Sequence, residues 1–491
     1  MNPVLQNFLI PLSPILAVAS AGIGLITLEC FPRFEMKPLK TLVALLGCLA
    51  SLAAIVWLWH SPIIYSAPND VSQMAWLTEF THAYRLDPFT LGCFGAISVF
   101  TFLALIFLLG YFDENEDRNE IAALALFIAS GMMLLVSANS LLMIFLGLEL
   151  LSLPTYVLVG IRRNDRNSCE AALKYFLFGS FATVLLVFGV ALLYAHFGTM
   201  ELSQIASAVK VLDPNQDKVL VLSGMALLLI AIAFKVGAVP FHMWLPDAYQ
   251  GAPTPVTALM GSAVKVAGFG LAIRVLWDTF LPLVSVWGGI LHWLAILTVF
   301  VGNLAALVQD NLKRMFAYSS ISHAGYLLMG VSALNSAQTP SAQPIFYYLV
   351  TYGLMFLGLF AIIALLEKQT KNVEIHHLSG LGFSHKILGA SIAIFALSAA
   401  GIPPTAGFFA KYFLFLEAVR AGYTWLVALL VISSVIGAYY YLRVIVYLYM
   451  KEPRGPVSLK APSDLYFLAI QACAVALILF ALFPSLLQLP H

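Results

Sequence analysis

The chain is 491 residues long, 61% hydrophobic and only 10% charged, with a formal net charge of +1. Soluble domains carry about 25% charged residues, so this composition excludes a soluble enzyme or a nucleic-acid binder and indicates an integral membrane protein. Its apolar runs of about 20 residues suit α-helices crossing a hydrocarbon core of about 30 Å. The short alternating segments of a transmembrane β-barrel are absent from the sequence.

Apolar windows set against charged or Pro/Gly-rich breaks predict fourteen spans. Their limits are 8–30, 40–60, 89–112, 120–137, 139–160, 169–197, 219–249, 254–277, 284–308, 314–334, 343–366, 386–420, 423–450 and 464–486. The first run has no Lys or Arg before it and no small-residue cleavage pattern after it, so a permanent helix is expected there. Basic residues in the connections divide fifteen to four in favour of the side of the first connection. The rich side is therefore expected in the cytoplasm and both termini outside it. Arg274 and Arg443 lie near span ends, where snorkelling to the interface is the expected behaviour.

Buried charges appear in order along this frame. Glu149, in NSLLMIFLGLELLSLPTYVLVG, is near the middle of the fifth span, with Pro154 a little over one turn later. A carboxyl at that depth is either neutral or paired with a cation. Lys174 is about one turn inside the sixth span. Lys235 is deep in the seventh, which reads AIAFKVGAVPFHMWLPDAYQ and is interrupted at Pro240. Non-helical backbone at membrane depth is tolerated only where it is buried in protein or lines a cavity, so a broken helix beside a charge reads as part of an ion path. Lys265, eleven residues inside its span among small residues, is too deep to snorkel and is a candidate proton carrier.

The run from Lys386 to Arg420 is too long for one ordinary span, and Pro403 and Pro404 divide it near the middle, with Lys411 about two turns further on. The two broken spans are five apart and run in opposite directions. This is the pattern of two inverted five-helix repeats, spans 4 to 8 and 9 to 13, in an all-α polytopic protein. The expected organisation is an N-terminal three-helix segment (1–112), a first repeat (120–277), a second (284–450) and a last helix (464–486). His242, just past the first break, and His323, in the tenth span, are possible relays between lysines because imidazole titrates near neutral pH. His60, His82, His376, His377 and His491 fall in loops or at the terminus, and the acidic run Asp113 to Glu120 reads as a solvated loop or a subunit contact. Five scattered cysteines without a CxxC pair, and histidines without haem-type pairing, suggest no redox centre or metal site. No P-loop, dinucleotide fingerprint or nucleophile triad is present.

The segments FKVGAVPFHMWLPDAYQGAPTPVTALMGSAVKVAGF, NLKRMFAYSSISHAGY, LGLELLSLPTYVL and GIPPTAGFFAKYF together resemble the antiporter-like membrane subunits of NADH:quinone oxidoreductase, respiratory complex I. The likeness spans nearly the whole chain. Lys411 stands where some members hold Glu, and the chain stops soon after its last span, where another branch carries a long lateral helix. Subunits of multisubunit sodium/proton antiporters share much of the pattern and are the alternative; a solute permease and a quinone-binding subunit are the remaining ones. The resemblance implies that Glu149 and Lys235 form a charge pair with Lys174 near it, that Lys265 is the central carrier, and that Lys411 faces the exit. It implies no cofactor in this chain, with flavin and iron–sulfur clusters in partner subunits of the peripheral arm. The other partners it implies are membrane-arm subunits, the lipid bilayer and protons. At an effective dielectric of about 20, opposite unit charges 4 Å apart attract by roughly 4 kcal/mol. Closing and opening a Glu149–Lys235 pair is therefore expected to switch a lysine between holding and releasing a proton.

Overall fold

The computed structural model describes residues 3–30, 37–61, 83–112, 118–212, 218–334, 341–370, 373–452 and 462–489. His82, His491, residues 113–117 of the acidic run and most of the 61–88 connection lie outside these residues. The described residues form one helical bundle, and among them twelve helices are long and apolar enough to cross a membrane. The expected tenth span is present as a less apolar helix, and the twelfth as two half-helices.

In chain order, α1 (Pro3–Glu29), α2 (Lys37–Trp59) and α3 (Pro88–Tyr111) form the N-terminal part. Next come α4 (Arg118–Ser137), α5 (Leu141–Val159), α6 (Arg166–Phe197), the short α7 (Leu202–Lys210), α8 (Val219–Val236) and α9 (Trp244–Gly251). The span expected at 254–277 is itself divided. It consists of α10 (Thr254–Gly261), α11 (Ala263–Ala272) and a π-helical turn (Ile273–Thr279), with an interruption at Ser262. The rest is α12 (Val284–Leu307), α13 (Leu312–Ala333), α14 (Gln343–Glu367), α15 (Leu381–Ser384), α16 (Lys386–Ala400), α17 (Ala406–Arg420), α18 (Thr424–Met450) and α19 (Asp464–Leu482).

The same features occur in each half. Leu141 N bonds Met200 O at 2.8 Å and Leu202 N bonds Asn139 O at 2.9 Å, closing the loop before α5 onto the loop before α7. Leu312 N bonds Val373 O at 2.8 Å and Ile375 N bonds Asp310 O at 2.9 Å, closing the loop before α13 onto the short 3-10 turn after α14.

Both broken helices end the same way, and earlier than their prolines suggest. Gly237 (φ +77°) and Gly401 (φ +76°) adopt the left-handed conformation that only glycine takes without a Cβ penalty. Ala238 N then bonds Ala233 O at 2.8 Å, and Ile402 N bonds Leu397 O at 3.1 Å, the bond that closes a glycine-capped helix end. The prolines Pro240, Pro403 and Pro404 follow in the turn, where the missing N–H does no harm. Freed carbonyls find other donors: Trp244 Nε1 bonds Phe234 O at 3.2 Å at the first break. At the second, a Cβ on residue 401 would sit 2.9 Å from Lys411 Cδ, so glycine also makes room for that side chain.

Arg274 does not snorkel. It is 3% exposed, and its guanidinium binds Asp278 at 2.7 Å, Asp87 at 2.8 Å and the Val136 carbonyl at 3.1 Å. Asp87 also caps α3 by accepting from Thr90 N at 2.8 Å, so one side chain joins α3, α4 and the π-turn. Replacement by Met removes the donor to the Val136 carbonyl and leaves Asp87 and Asp278 with the more exposed Arg85, at 3.2 and 3.0 Å. We expect Arg274→Met to cost about 2 kcal/mol through the weakened pairing of the two acids and the lost carbonyl bond, read as a lowered thermal midpoint of the purified assembly.

Candidate proton-transfer site

Lys235, Lys265 and Lys411 are buried in the bundle, and none of these three has a carboxylate in direct contact among the described residues. Lys235 lies in the last turn of α8, where the chain must terminate at Gly237, and its ammonium donates to Ser152 Oγ at 2.9 Å. Ser152 is three residues beyond Glu149 on α5, which puts both on one face of that helix. Glu149 itself accepts from Thr183 Oγ1 at 2.8 Å, and no Glu149–Lys235 ion pair falls within 4.0 Å among the described residues. The serine hydroxyl takes the donor that the carboxylate was expected to take, and Glu149 and Lys235 are not in contact.

Lys265 follows the Ser262 interruption by less than one turn. Its ammonium donates to the Ser320 carbonyl on α13 and lies 4.9 Å from the centre of the Tyr352 ring. Lys411 points back across the second break and donates to Ala400 O at 2.9 Å, Ala399 O at 3.3 Å and Ser434 Oγ at 2.9 Å. Those carbonyls are the unsatisfied C-terminal end of α16, where the helix dipole favours a cation. The ammonium also sits 5.1 Å from the Tyr326 ring.

His323 stands between these two lysines. Its ring lies 4.8 Å from that of Tyr352 and 6.1 Å from that of Tyr326, the two tyrosines that face Lys265 and Lys411. Nδ1 meets Tyr348 OH at 2.6 Å and Nε2 meets Tyr441 OH at 3.0 Å, so both ring nitrogens are engaged by groups that can donate or accept. Around Tyr326, Asn303 binds Ser433 Oγ at 3.0 Å and accepts from Tyr440 OH at 3.1 Å. The arrangement is a polar core of neutral hydroxyls, an amide and an imidazole lying between two ammonium groups. Such a set can pass protons by exchanging donor and acceptor roles.

The remaining expected residues are elsewhere. His242 is half-buried in the turn after the first break, and its Nδ1 has no hydrogen-bond partner, so the structure brings only His323 between lysines. Lys174 is on the face that carries the basic connections, paired with Glu170 at 2.8 Å and Asp247 at 2.9 Å; Asp247 also binds Arg314 at 2.7 Å. It is not among the contacts of Glu149 or Lys235. The tyrosines were missed by sequence reasoning. Their signal is present in FYYLVTYG and AYYYLR, where hydroxyls recur within otherwise apolar spans.

A multi-pass helical bundle with two glycine-capped helix breaks, each with a buried lysine, places the chain among the membrane subunits of the antiporter-like class. The family described as NADH:quinone oxidoreductase/Mrp antiporter, TM, matches residues 138–437, and the chain belongs to it. Within that family the chain sides with subunit N. The NADH-quinone oxidoreductase subunit N 1 of Thermodesulfovibrio yellowstonii is 43% identical over 396 residues, 80% of this chain and 83% of its own. Subunit N of Rhodospirillum rubrum is 36% identical over 480 residues, 97% of this chain and 94% of its own. A chain of respiratory complex I from Thermus thermophilus, solved with bound aureothin, superposes with a TM-score of 0.78 at 33% identity, covering 96% of this chain and 98% of that one.

Proposed function

We propose that this chain is a proton-translocating membrane-arm subunit of a bacterial NADH:quinone oxidoreductase, working among other membrane-arm and peripheral-arm subunits. The observation that carries the reading is the polar core in which His323 and its tyrosines stand between Lys265 and Lys411. Protons are the cargo such a core suits, because each station is an amine or a group that both donates and accepts. The reading assigns flavin and iron–sulfur chemistry to partner subunits and none to this chain, whose five cysteines are dispersed.

In this reading Glu149 and Lys235 are the switch. Redox energy released elsewhere in the complex moves the carboxylate toward or away from the ammonium. Contact favours the charged amine, and separation leaves it to the low dielectric of the bundle, which disfavours charge. The geometry described above, with Lys235 on Ser152 and Glu149 on Thr183, corresponds to the separated state. The proton passes by Lys265 and His323 to Lys411 and leaves on the outer side. The excess of basic connections and the bacterial relatives support a place in the cytoplasmic membrane with both termini outside.

The family also includes subunits of sodium/proton antiporters, which work without NADH. Purification of the tagged chain in mild detergent separates the two. Flavin and iron–sulfur polypeptides accompany it if it belongs to the oxidoreductase; recovery of an assembly without them contradicts the reading.

A further inference from the structure

On the face of the basic connections, a vestibule of about 180 Å³ opens among the start of α6, α9 and the end of α14. Glu367, the last residue of α14, forms part of its wall, and its side chain is 7% exposed. The carboxylate accepts from Tyr111 OH at 2.5 Å, Thr254 Oγ1 at 2.6 Å and Lys313 Nζ at 3.0 Å, with Arg162 at 3.5 Å. Lys313 divides its ammonium between this carboxylate and Ala252 O at 2.6 Å. Lys313, in the first turn of α13, is 3% exposed. The relay described above uses neither member of this buried ion pair.

The pair is linked inward by α13. Ser320 lies seven residues beyond Lys313, about 10 Å along the helix, and its carbonyl holds the ammonium of Lys265. The hydroxyls of Tyr249 and Tyr352 both face the Ser320 side chain. Ser320 Oγ and Tyr352 OH are nevertheless buried without a partner of hydrogen-bonding geometry. Such hydroxyls are open to a further partner, and a water that enters when neighbouring groups move apart supplies one. That helix rise of about 10 Å equals three or four hydrogen-bonded steps of about 2.8 Å.

We propose that the Lys313–Glu367 pair is the gate through which Lys265 is reprotonated from the cytoplasm. The proposal rests on the relay reading above. A hydronium ion in the vestibule gives its proton to a Glu367 carboxylate oxygen; one O–H bond breaks, one forms, and water remains. Neutral Glu367 no longer holds Lys313 by charge, and the pair opens toward Ser320. The carboxyl O–H then breaks as the proton moves through water and the Ser320 hydroxyl, and an N–H bond forms on the neutral amine of Lys265. Glu367, again a carboxylate, closes on Lys313. Arg162 at the rim draws it back.

The test uses the whole complex in proteoliposomes, with proton uptake and NADH oxidation measured together. Glu367→Gln keeps the shape and the Thr254 contact but carries no proton; we expect pumping to fall more than fivefold, Glu367→Asp to restore at least half of it, and the solvent deuterium isotope effect to rise. Asn167→Trp, on the exposed rim of the vestibule, narrows the opening without touching the core and is expected to slow pumping to a similar extent. If Glu367→Gln fails to assemble, the Asn167→Trp result decides. Loss of pumping in Lys265→Ala with normal pumping in both gate variants overturns the gate and leaves the relay. Normal pumping in Lys265→Ala overturns the relay and the gate with it.

Discussion

Lys265→Ala in the assembled complex is expected to reduce proton pumping at least tenfold while the complex still assembles. Both halves of this expectation follow from the partners of the ammonium. Removing one member of a buried ion pair strands the other charge and costs about 3–5 kcal/mol. Lys265 has only a carbonyl and a ring face beside it, so no charge is stranded and the fold tolerates the loss. The transfer path is not so forgiving. Each step needs a group that both accepts and releases a proton within hydrogen-bond reach, and alanine offers none. Lys265→Arg keeps the charge but cannot be deprotonated in a protein, so it is expected to be as defective as alanine. Recovery of pumping by arginine contradicts a role in carrying protons.

Lys411→Ala is the second large effect, and here structure and transport are affected together. The ammonium satisfies the carbonyls of Ala399 and Ala400 at the end of a half-helix inside the membrane region. Loss of a cation at a helix C-terminus costs about 0.3–1 kcal/mol at a surface and up to ~2 kcal/mol where partly buried. We therefore expect Lys411→Ala to lower thermal stability by about 1–2 kcal/mol and to reduce pumping at least tenfold. Lys411→Arg retains the cation at the carbonyls, so it separates the two effects. Stability returns and pumping does not.

The sequence made the membrane spans, the two broken helices and the buried lysines legible, because each is a local pattern: a long apolar run, a proline within it, a charge where none belongs. The details that involve two distant segments were not. Glu149 was expected on Lys235, yet Ser152, one turn away on the same helix, takes the ammonium. Arg274 looked like a snorkelling end residue because its acids, Asp87 and Asp278, lie on a loop 187 residues away and in the π-turn one helical turn on. Lys313 and Glu367 each sit at the end of a span, where position alone suggests solvent, and only the packing of α13 against α14 buries them as a pair. The helix ends at Gly237 and Gly401 were within reach of sequence reasoning. A glycine two or three residues before a proline is a helix stop signal. The tyrosines around His323 were hidden by their own apolar rings, which count toward a span.

The central claim is that the charge relation between Glu149 and Lys235 drives proton transfer through this chain. The ratio of protons moved to electrons transferred, measured in proteoliposomes holding the complete complex, tests it most directly. Glu149→Ala and Lys235→Ala are each expected to lower that ratio or to stop turnover, depending on how tightly the redox reaction is coupled. Both variants assembling, oxidising NADH at the normal rate and keeping the wild-type ratio contradicts the account.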